Sequence, residues 1–266
     1  MDVKIITTFY IIDEFFKKIS YKDHPKARVT NSEVATLMIT AAYYFGGNFE
    51  KTRLMFLCRN YCKSISKSRL NRRIHAIPSV IWNKLLSIFR NLEEKIFIVD
   101  SFPVPVIKQA RVSRAHMYKG KEYKGYCAAK KEYFYGLKVH MIVDQTGIPI
   151  EFYISPGSMH DIKAIKHLTI NLQKDSILIA DAGYTDYAFE EELRTDRQII
   201  LGAKRRKNSK KPSLLQDESF YKKRKRIETT FSSILRFTSR TIQAVTQKCF
   251  ELKLSLFIFA YCFLNF

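Results

Sequence analysis

The chain has 266 residues, and its 46 Lys and Arg against 25 Asp and Glu give a formal net charge of +21. This charge is far larger than solubility requires of a domain, and it indicates a polyanionic partner, either nucleic acid or an anionic membrane surface. Hydrophobic residues make up 46% of the chain, which excludes a disordered basic tail. The length suits two modest domains or one large domain.

One feature argues against a membrane partner, and two others indicate the cytosol. The longest apolar stretch, residues 254–264, is shorter than the roughly 20 residues that span a bilayer. The first residues lack the charged and cleavage-site segments of a signal peptide. The five cysteines are an odd number without the spacing of a disulfide framework, so we expect reduced thiols. The expectation is a cytoplasmic protein without a membrane partner.

Residues 1–94 predict an all-helical domain. Thr30 and Glu33 have the spacing of a capping box, and they precede an apolar run that ends at Gly46. Two shorter helices are expected within residues 48–77. Two short helices joined by a turn, the second rich in arginine, form a helix-turn-helix-like pattern.

The second of these short helices carries Arg69, Arg72 and Arg73 at the three- and four-residue spacing of helical neighbours, so they share a face. The face either contacts DNA or is simply a solvated basic surface, and periodicity alone does not separate these interpretations. Residues 51–75 contain eight basic residues and no acid, which favours DNA.

From Ile96 the pattern changes to short, β-branched apolar runs that alternate with helical spacing, which predicts an α/β catalytic domain over residues 95–266. The expected strands are 96–100, 134–144, 148–155, 176–181 and 198–203. The expected helices are 161–172, 186–195 and 221–237. The prediction is a mixed five-stranded sheet flanked by helices, with a basic excursion at 101–133 and a basic connector at 204–220.

Acidic residues follow two of the predicted buried strands. Asp100 and Asp181 each end such a strand, where sites form in α/β sheets, although either one alone could be a turn or cap residue. If the two strands are neighbours, the carboxylates converge, and like charges held close require a cation. Glu228 is the only acid within residues 219–250. It could bind that cation, pair with Arg224 at i, i+4, or do both.

Other polar residues have simpler explanations. Lys124 lies among the tyrosines of the basic excursion, a composition that suits distorted or single-stranded DNA but also a flexible surface segment. Asp144 is explained by a hairpin turn, and Asp161 by the N-cap of a helix. A lone histidine such as His160 is more often structural than functional.

The order of elements, with Asp100 and Asp181 after the first and fourth strands and Glu228 on a late helix, resembles the ribonuclease-H-like core of DDE transposases. Tyr221, Arg224 and Glu228 resemble the Y-x2-R-x3-E signature of insertion-sequence transposases. Over about residues 30–260, the chain is similar to the bacterial insertion-sequence family numbered 982. Four stretches carry this similarity: IVDSFPVP, KEYFYGLKVHMIVDQTGIPIEF, SPGSMHD and ADAGY.

The resemblance implies a transposase that nicks element ends at terminal inverted repeats and joins the freed 3′-OH to target DNA. It implies two Mg²⁺ or Mn²⁺ ions held by Asp100, Asp181 and Glu228, because these ions prefer oxygen ligands. It also implies that Arg224 and the neighbouring Lys225 contact DNA.

Further roles follow from the same resemblance. The family has a lysine seven residues after the glutamate, where this chain has Leu235 with Arg236 beside it; Arg236 is therefore a candidate DNA contact. Tyr221 is expected to pack or to contact phosphate, and the family pattern makes His160 worth testing near the scissile phosphate. The expected partners are double-stranded DNA and at least one further copy of the chain, in the bacterial nucleoid.

Two alternatives remain at this point. The first is a metal-dependent, structure-specific nuclease of the same fold, which would need the same three acids. The second is a non-catalytic DNA-binding protein that uses only the helices within residues 51–75.

Overall fold

The computed structural model describes residues 1–128, 130–215, 218–238 and 242–265. The chain forms two compact units. The helical unit comprises Met1–Ile88 and Ser233–Phe266, and the sheet unit comprises Phe89–Ser232. The last part of the chain therefore groups with the N-terminal helices, whereas the sequence suggested that it belongs to the catalytic domain.

Five helices precede the first strand, and the predicted strands and helices then follow in the expected order, with one additional short strand and one divided helix. The helices are α1 (Asp2–Lys18), α2 (Asn31–Phe45), α3 (Phe49–Cys58), α4 (Lys67–Ala76), α5 (Ser79–Leu86), α6 (Asp161–Ile165), α7 (Tyr187–Arg197), α8 (Glu218–Lys222), α9 (Lys225–Phe237) and α10 (Gln247–Asn265). The strands are β1 (Ile96–Ile107), β2 (Lys124–Cys127), β3 (Glu132–Asp144), β4 (Pro149–Pro156), β5 (Ser176–Ala180) and β6 (Ile199–Ala203).

The helical unit is built around the buried helix α2. The predicted capping box is confirmed: Thr30 Oγ1 accepts a hydrogen bond from the Glu33 amide, and the Glu33 carboxylate accepts one from the Thr30 amide. Gly46 ends the helix in the left-handed conformation, with φ of 55°. Helix α10 packs against α2, and Phe259 of α10 contacts Trp82 with ring centroids 5.2 Å apart.

The predicted pair of short helices occurs as α3 and α4. The Asn48 side chain caps α3, and the Ser66 side chain caps α4. Leu70 and Ile74 are the buried residues of α4. These two side chains face the interior of the unit, whereas Arg69 and Arg72 of the same helix are exposed.

The sheet has β1 at its centre. β1 pairs antiparallel with β3 and parallel with β5, and β5 pairs parallel with β6. The other edge of β3 carries β2 beside its first residues and β4 beside its later ones. The described sheet thus has six strands rather than the predicted five. The sequence pattern missed β2 because four residues, KGYC, are too few to show an alternating pattern.

β1 is much longer than the predicted strand 96–100. It continues to Ile107 and pairs with β3 along this length. Pro103 and Pro105 obscured the extension, since proline lacks a ladder donor and is confined to strand edges. Within the described residues, the pairing of β1 with β5 ends at Ile98, so the prolines lie where β1 has a free edge. The predicted excursion at 101–133 therefore begins as a strand.

Different helices cover the two faces of the sheet. Phe97 of β1 and Leu178 of β5 are fully buried in a cluster with residues of α6 and α7. Side chains alternate along a strand, so Asp100 and Phe102 lie on the opposite face. There Phe102 contacts Phe231 of α9, with ring centroids 4.5 Å apart.

Two predicted helices differ in extent. The helix expected over 161–172 ends at Ile165. The helix expected over 221–237 is divided into α8 and α9. In the described part of the chain, no helix is both long enough and apolar enough to cross a membrane.

Candidate active site and basic surface

Asp100 and Asp181 lie side by side on neighbouring parallel strands. The register of β1 and β5 pairs Ile98 with Ile179, and each aspartate is two residues farther along its strand. Residues two apart share a face, so both carboxylates lie on the α9 side of the sheet. Asp181 follows the end of its strand as predicted, whereas Asp100 lies within β1 because this strand continues.

The Asp100 carboxylate accepts two well-formed hydrogen bonds. Its Oδ1 accepts from the Ser101 amide at 2.8 Å, and its Oδ2 accepts from Arg224 Nη2 at 2.7 Å. The side chains of Asp100 and Arg224 are only 16% and 21% exposed. Arg224 precedes α9 and forms its ion pair with Asp100, so the suggested intrahelical pair with Glu228 is wrong.

The electrostatics link all three candidate acids. Burial raises the pKa of Asp100, and the charge of Asp181 adds to this rise, while Arg224 opposes it. Burial lowers the pKa of Arg224, but the charge of Asp100, its hydrogen bond and the charges of Asp181 and Glu228 together raise it. Of these three acids, Asp100 is the one that pairs directly with the guanidinium. Glu228 itself is exposed, in the first turn of α9.

The donor chemistry at this edge of the sheet fits a divalent cation, because carboxylate oxygens are the ligands that Mg²⁺ and Mn²⁺ prefer. A cationic group already offsets the charge of Asp100 here, namely the guanidinium of Arg224. Among the described residues, however, no three His, Cys, Asp or Glu side chains are arranged to hold a metal ion together. The arrangement therefore fits a cation at the Asp100–Asp181 pair and leaves Glu228 outside a shared ligand group.

A fourth acid approaches the pair from the other face of the sheet. The N-cap of α6 is His160, so the interpretation of Asp161 as the N-cap is wrong. Asp161 Oδ1 accepts hydrogen bonds from Ser101 Oγ at 2.9 Å and from Lys138 Nζ at 3.3 Å, and it lies 3.6 Å from His140 Nδ1. Sequence reasoning missed this cluster because it requires the β1–β3 register, in which Ser101 faces His140.

Two buried titratable groups border Asp161. His140 has no exposed surface, and its Nε2 lies 2.9 Å from Ser155 Oγ. Burial lowers the pKa of His140 to about 4, although the charge of Asp161 acts in the opposite direction. Burial also raises the pKa of Tyr184, and Asp161 is the largest of the charges that add to this rise. The neutral forms of both side chains therefore prevail near neutral pH.

The remaining residues of the signature differ in exposure. The Tyr221 hydroxyl lies 2.7 Å from Ser213 Oγ and donates to a nearby carbonyl, so it is anchored within the sheet unit. Lys225 and Arg236 are both exposed on α9. Arg236 lies in the part of α9 that belongs to the helical unit.

Lys124 and His160 are also exposed. The Lys124 ammonium lies 4.8 Å from the centre of the Tyr133 ring, and Tyr133 contacts Tyr126 across the β2–β3 ladder with ring centroids 5.1 Å apart. This places a cation beside two exposed aromatic rings.

The three arginines of α4 are not equivalent. Arg69 and Arg72 are exposed. Arg73 is bound within the helical unit: its guanidinium donates to the Val29 carbonyl at 2.7 Å and to Asn31 Oδ1 at 2.8 Å. Of the three arginines predicted to share a face, two are therefore exposed to solvent, and the third is hydrogen-bonded within the helical unit.

Comparison with known proteins completes the description. Residues 91–263 match the family model of the transposase DDE domain. The cryo-EM structure of a piggyBac transposase synaptic complex with hairpin DNA is similar with a TM-score of 0.46 and 10% identity, over 96% of this chain and 71% of that chain. No curated protein sequence matches the chain. The family match covers more than half of the chain and includes all three candidate acids, so the chain belongs to the transposase DDE domain family and is a DDE transposase.

Proposed function

We propose that this transposase nicks DNA at the terminal inverted repeats of its element and joins the freed 3′-OH to target DNA, as the resemblance to the insertion-sequence family numbered 982 suggests. The observation that carries the proposal is the alignment of Asp100 with Asp181 on neighbouring parallel strands, with Arg224 Nη2 2.7 Å from Asp100 Oδ2, in a chain that matches the transposase DDE domain. The sheet order supports it, because antiparallel β4, β3 and β1 followed by parallel β5 and β6 suit a ribonuclease-H-like core.

Asp100, Asp181 and Glu228 would hold two Mg²⁺ or Mn²⁺ ions. When bound, these ions activate the attacking oxygen and stabilise the leaving oxygen. Two observations support this assignment. Burial and the neighbouring charge of Asp181 make ionised Asp100 costly, and Arg224 already supplies a cation to it. For all three acids to share ligand positions, Glu228 must approach the two aspartates.

Some of the signature and neighbouring side chains would contact DNA, and others would pack within the protein. Arg224 presents a planar fork of donors that suits a phosphate once it leaves the aspartate. The exposed Lys225 extends the same positive surface. The Tyr221 hydroxyl is bonded to Ser213, which favours a packing role. The exposed His160 has room to approach a DNA phosphate.

Double-stranded DNA is the proposed partner of both units. In the helical unit, Arg69, Arg72 and Arg236 are exposed and available for phosphates, while Arg73 supports α4. In the sheet unit, Lys124 pairs a cation with exposed rings, which suits distorted DNA. Because an element has two ends, we propose a dimer or larger assembly on DNA, in the bacterial nucleoid.

An end-joining assay tests the proposal. The purified full chain is incubated with a labelled element end, a target plasmid and Mg²⁺, and cleaved and joined products are separated on a gel. We expect both products from the wild type. Asp100→Asn, Asp181→Asn and Glu228→Gln should each lower both rates about 1000-fold or more, since about 4 kcal/mol of metal-dependent stabilisation is lost. Asp196→Asn, on the exposed side of α7, is the matched control.

The same assay separates the alternatives. Cleaved ends without any joined product would indicate a nuclease instead of a transposase. Unchanged transposition in cells that carry all three acid substitutions would indicate a protein that only binds DNA. Gel-shift measurements should show that the three variants still bind the element end.

A further inference from the structure

Asp161 contacts the chain next to both catalytic aspartates, although it lies on the opposite face of the sheet. Its Oδ1 accepts a hydrogen bond from Ser101 Oγ at 2.9 Å. The amide of the same serine donates to Asp100 Oδ1 at 2.8 Å. Ser101 therefore connects the two carboxylates, because its side chain is held by Asp161 and its backbone holds Asp100.

The second oxygen of Asp161 faces the other catalytic strand. A Cβ atom placed on Gly183 would lie 3.1 Å from Asp161 Oδ2 and 3.0 Å from Asp181 Oδ1. The Gly183 amide donates to Asp181 Oδ1 at 2.7 Å. Both carboxylates thus crowd the same small residue, and only glycine leaves room for them without displacing either oxygen.

The surroundings of Asp161 fix its orientation. Lys138 Nζ is 3.3 Å from Asp161 Oδ1 and also donates to the Met159 carbonyl at 3.1 Å. His140 Nδ1, which is buried and makes no hydrogen bond within the described residues, points at the same oxygen from 3.6 Å. β3 therefore supplies a cation and a polar ring to an acid that the end-cleaving chemistry does not otherwise use.

We infer that Asp161 is a positioning residue, which acts through Ser101 and beside Gly183 to hold Asp100 and Asp181 in their side-by-side arrangement. The inference rests on the proposed function, since it gives Asp161 a role only if the two aspartates bind metal. Residues that orient metal ligands typically contribute about 10- to 100-fold to metal affinity or activity. The effect of Asp161 should have this size.

Metal affinity measured without DNA provides the test. Mn²⁺ is titrated calorimetrically into the full-length wild type and into Ser101→Ala, Asp161→Ala and their double variant. We expect each single substitution to weaken Mn²⁺ binding about 10- to 100-fold, and the double variant to be no weaker than Asp161→Ala, because both changes break one path. Asp161→Asn should lose less than Asp161→Ala, since its amide oxygen still accepts from Ser101 Oγ.

Two results would overturn the inference. If Asp161→Asn weakens Mn²⁺ binding as much as Asp161→Ala while Ser101→Ala binds normally, Asp161 would be a metal ligand itself. If both Ser101→Ala and Asp161→Ala bind Mn²⁺ like the Asp196→Asn control, Asp161 would have no role in positioning. Should Asp161→Ala fail to fold, Ser101→Ala decides alone, because it removes a single oxygen atom and normal Mn²⁺ affinity would refute the path.

Failure of the proposed function gives a different result. In that case Asp100→Asn would bind Mn²⁺ and cleave element ends like the wild type, whatever the Asp161 variants do. If Asp100→Asn is inactive and only the Ser101 and Asp161 variants behave like the wild type, the proposed function stands and the positioning role is wrong.

Discussion

The sheet unit and the helical unit use charge in opposite ways. In the sheet unit, the charged groups beside β1 are largely buried and paired, as with Arg224 on Asp100 and Lys138 on Asp161. In the helical unit, Arg69 and Arg72 of α4 stand exposed on the surface. The net charge of +21 is a property of the whole chain, so it does not reveal this difference between the two units.

This difference separates two kinds of contribution. A buried, paired charge is costly to leave alone, so removing its partner changes the stability of the unit. An exposed charge contributes little to stability but acts on a polyanion through phosphate contacts. Substitutions of the paired, buried charges in the sheet unit should therefore change unfolding, whereas those on the exposed face of α4 should change DNA affinity.

Among single substitutions, the largest effect on stability is expected for Arg224→Gln, which leaves Asp100 without its cation. We expect the sheet unit to lose about 2–3 kcal/mol, somewhat below the value for a fully buried pair because both side chains keep some exposure. Hydrogen exchange of β1 and β5 amides measures this change. The single tryptophan, Trp82, lies in the helical unit, and its fluorescence should report unchanged unfolding there.

A double variant sharpens this prediction. Asp100→Asn combined with Arg224→Gln removes both charges, so its cost should be smaller than the sum of the two single costs. If the free-energy costs of the two single substitutions simply add in the double variant, the Asp100–Arg224 pair does not stabilise the sheet unit.

The next effect concerns pH. The pKa of His140 is lowered to about 4 from an ordinary value of 6.5, so between these values the unfolded chain binds more protons than the folded one. The stability of the sheet unit is therefore full above about pH 6.5 and falls by up to about 3 kcal/mol as the pH drops to 4. Hydrogen exchange of β3 as a function of pH measures this loss.

His140→Gln should remove most of this pH dependence. His160→Gln, at an exposed position, is the control and should retain it. An equal pH dependence in the His140 variant and the wild type would mean that burial of this ring does not couple the sheet unit to protons.

On α4, adjacent arginines should behave differently. Arg72→Ala removes an exposed charge, so we expect DNA affinity to fall about fivefold and the salt dependence to lose roughly one phosphate contact, with unfolding unchanged. Arg73→Ala removes the bonds to Val29 and Asn31 and should cost the helical unit about 1–2 kcal/mol. Fluorescence anisotropy with labelled DNA and Trp82 fluorescence measure the two quantities. If Arg72→Ala and Arg73→Ala change DNA affinity and unfolding to the same extent, the two arginines do not have different roles.

The smallest effect is expected for the N-terminal cap of α2, which stabilises the helical unit without a paired charge. Thr30→Ala removes the side-chain cap of α2 and should cost about 1 kcal/mol, whereas Thr30→Ser keeps the acceptor and should be nearly neutral. Trp82 fluorescence during urea unfolding measures both. No loss in the alanine variant would mean that packing of α10 on α2 alone sets the stability of this unit.

Features that depend on nearby residues could be predicted from the sequence. The capping box at Thr30 and Glu33 is one, because its partners are three residues apart. The turn at Asp144 is another: Asp144 Oδ1 accepts from Thr146 Oγ1 at 2.6 Å and from the Ile148 amide at 2.9 Å. The alternation of strands and helices also follows from local periodicity.

Predictions from the sequence were wrong where the local pattern and the tertiary contacts of a residue disagree. The apolar run that predicts the first strand ends at Asp100, but β1 continues through Pro103 and Pro105, where its edge beyond Ile98 is free within the described residues. Arg224 has the spacing of an intrahelical pair with Glu228, yet a break before α9 turns it toward Asp100. Local spacing predicts which nearby residues could pair. It does not predict when a residue pairs instead with a partner that is distant in the sequence.

The sequence alone determined the chemical types at the site: two aspartates after apolar strands, a glutamate in a basic helix, and an excess of cations around them. The tertiary structure decided which of these groups meet. The β1–β5 register aligns Asp100 with Asp181, and the β1–β3 register brings Lys138 and His140 to Asp161. The physical reason is that a strand shifted by one residue reverses the face of every side chain, so convergence depends on pairings between residues far apart in the chain.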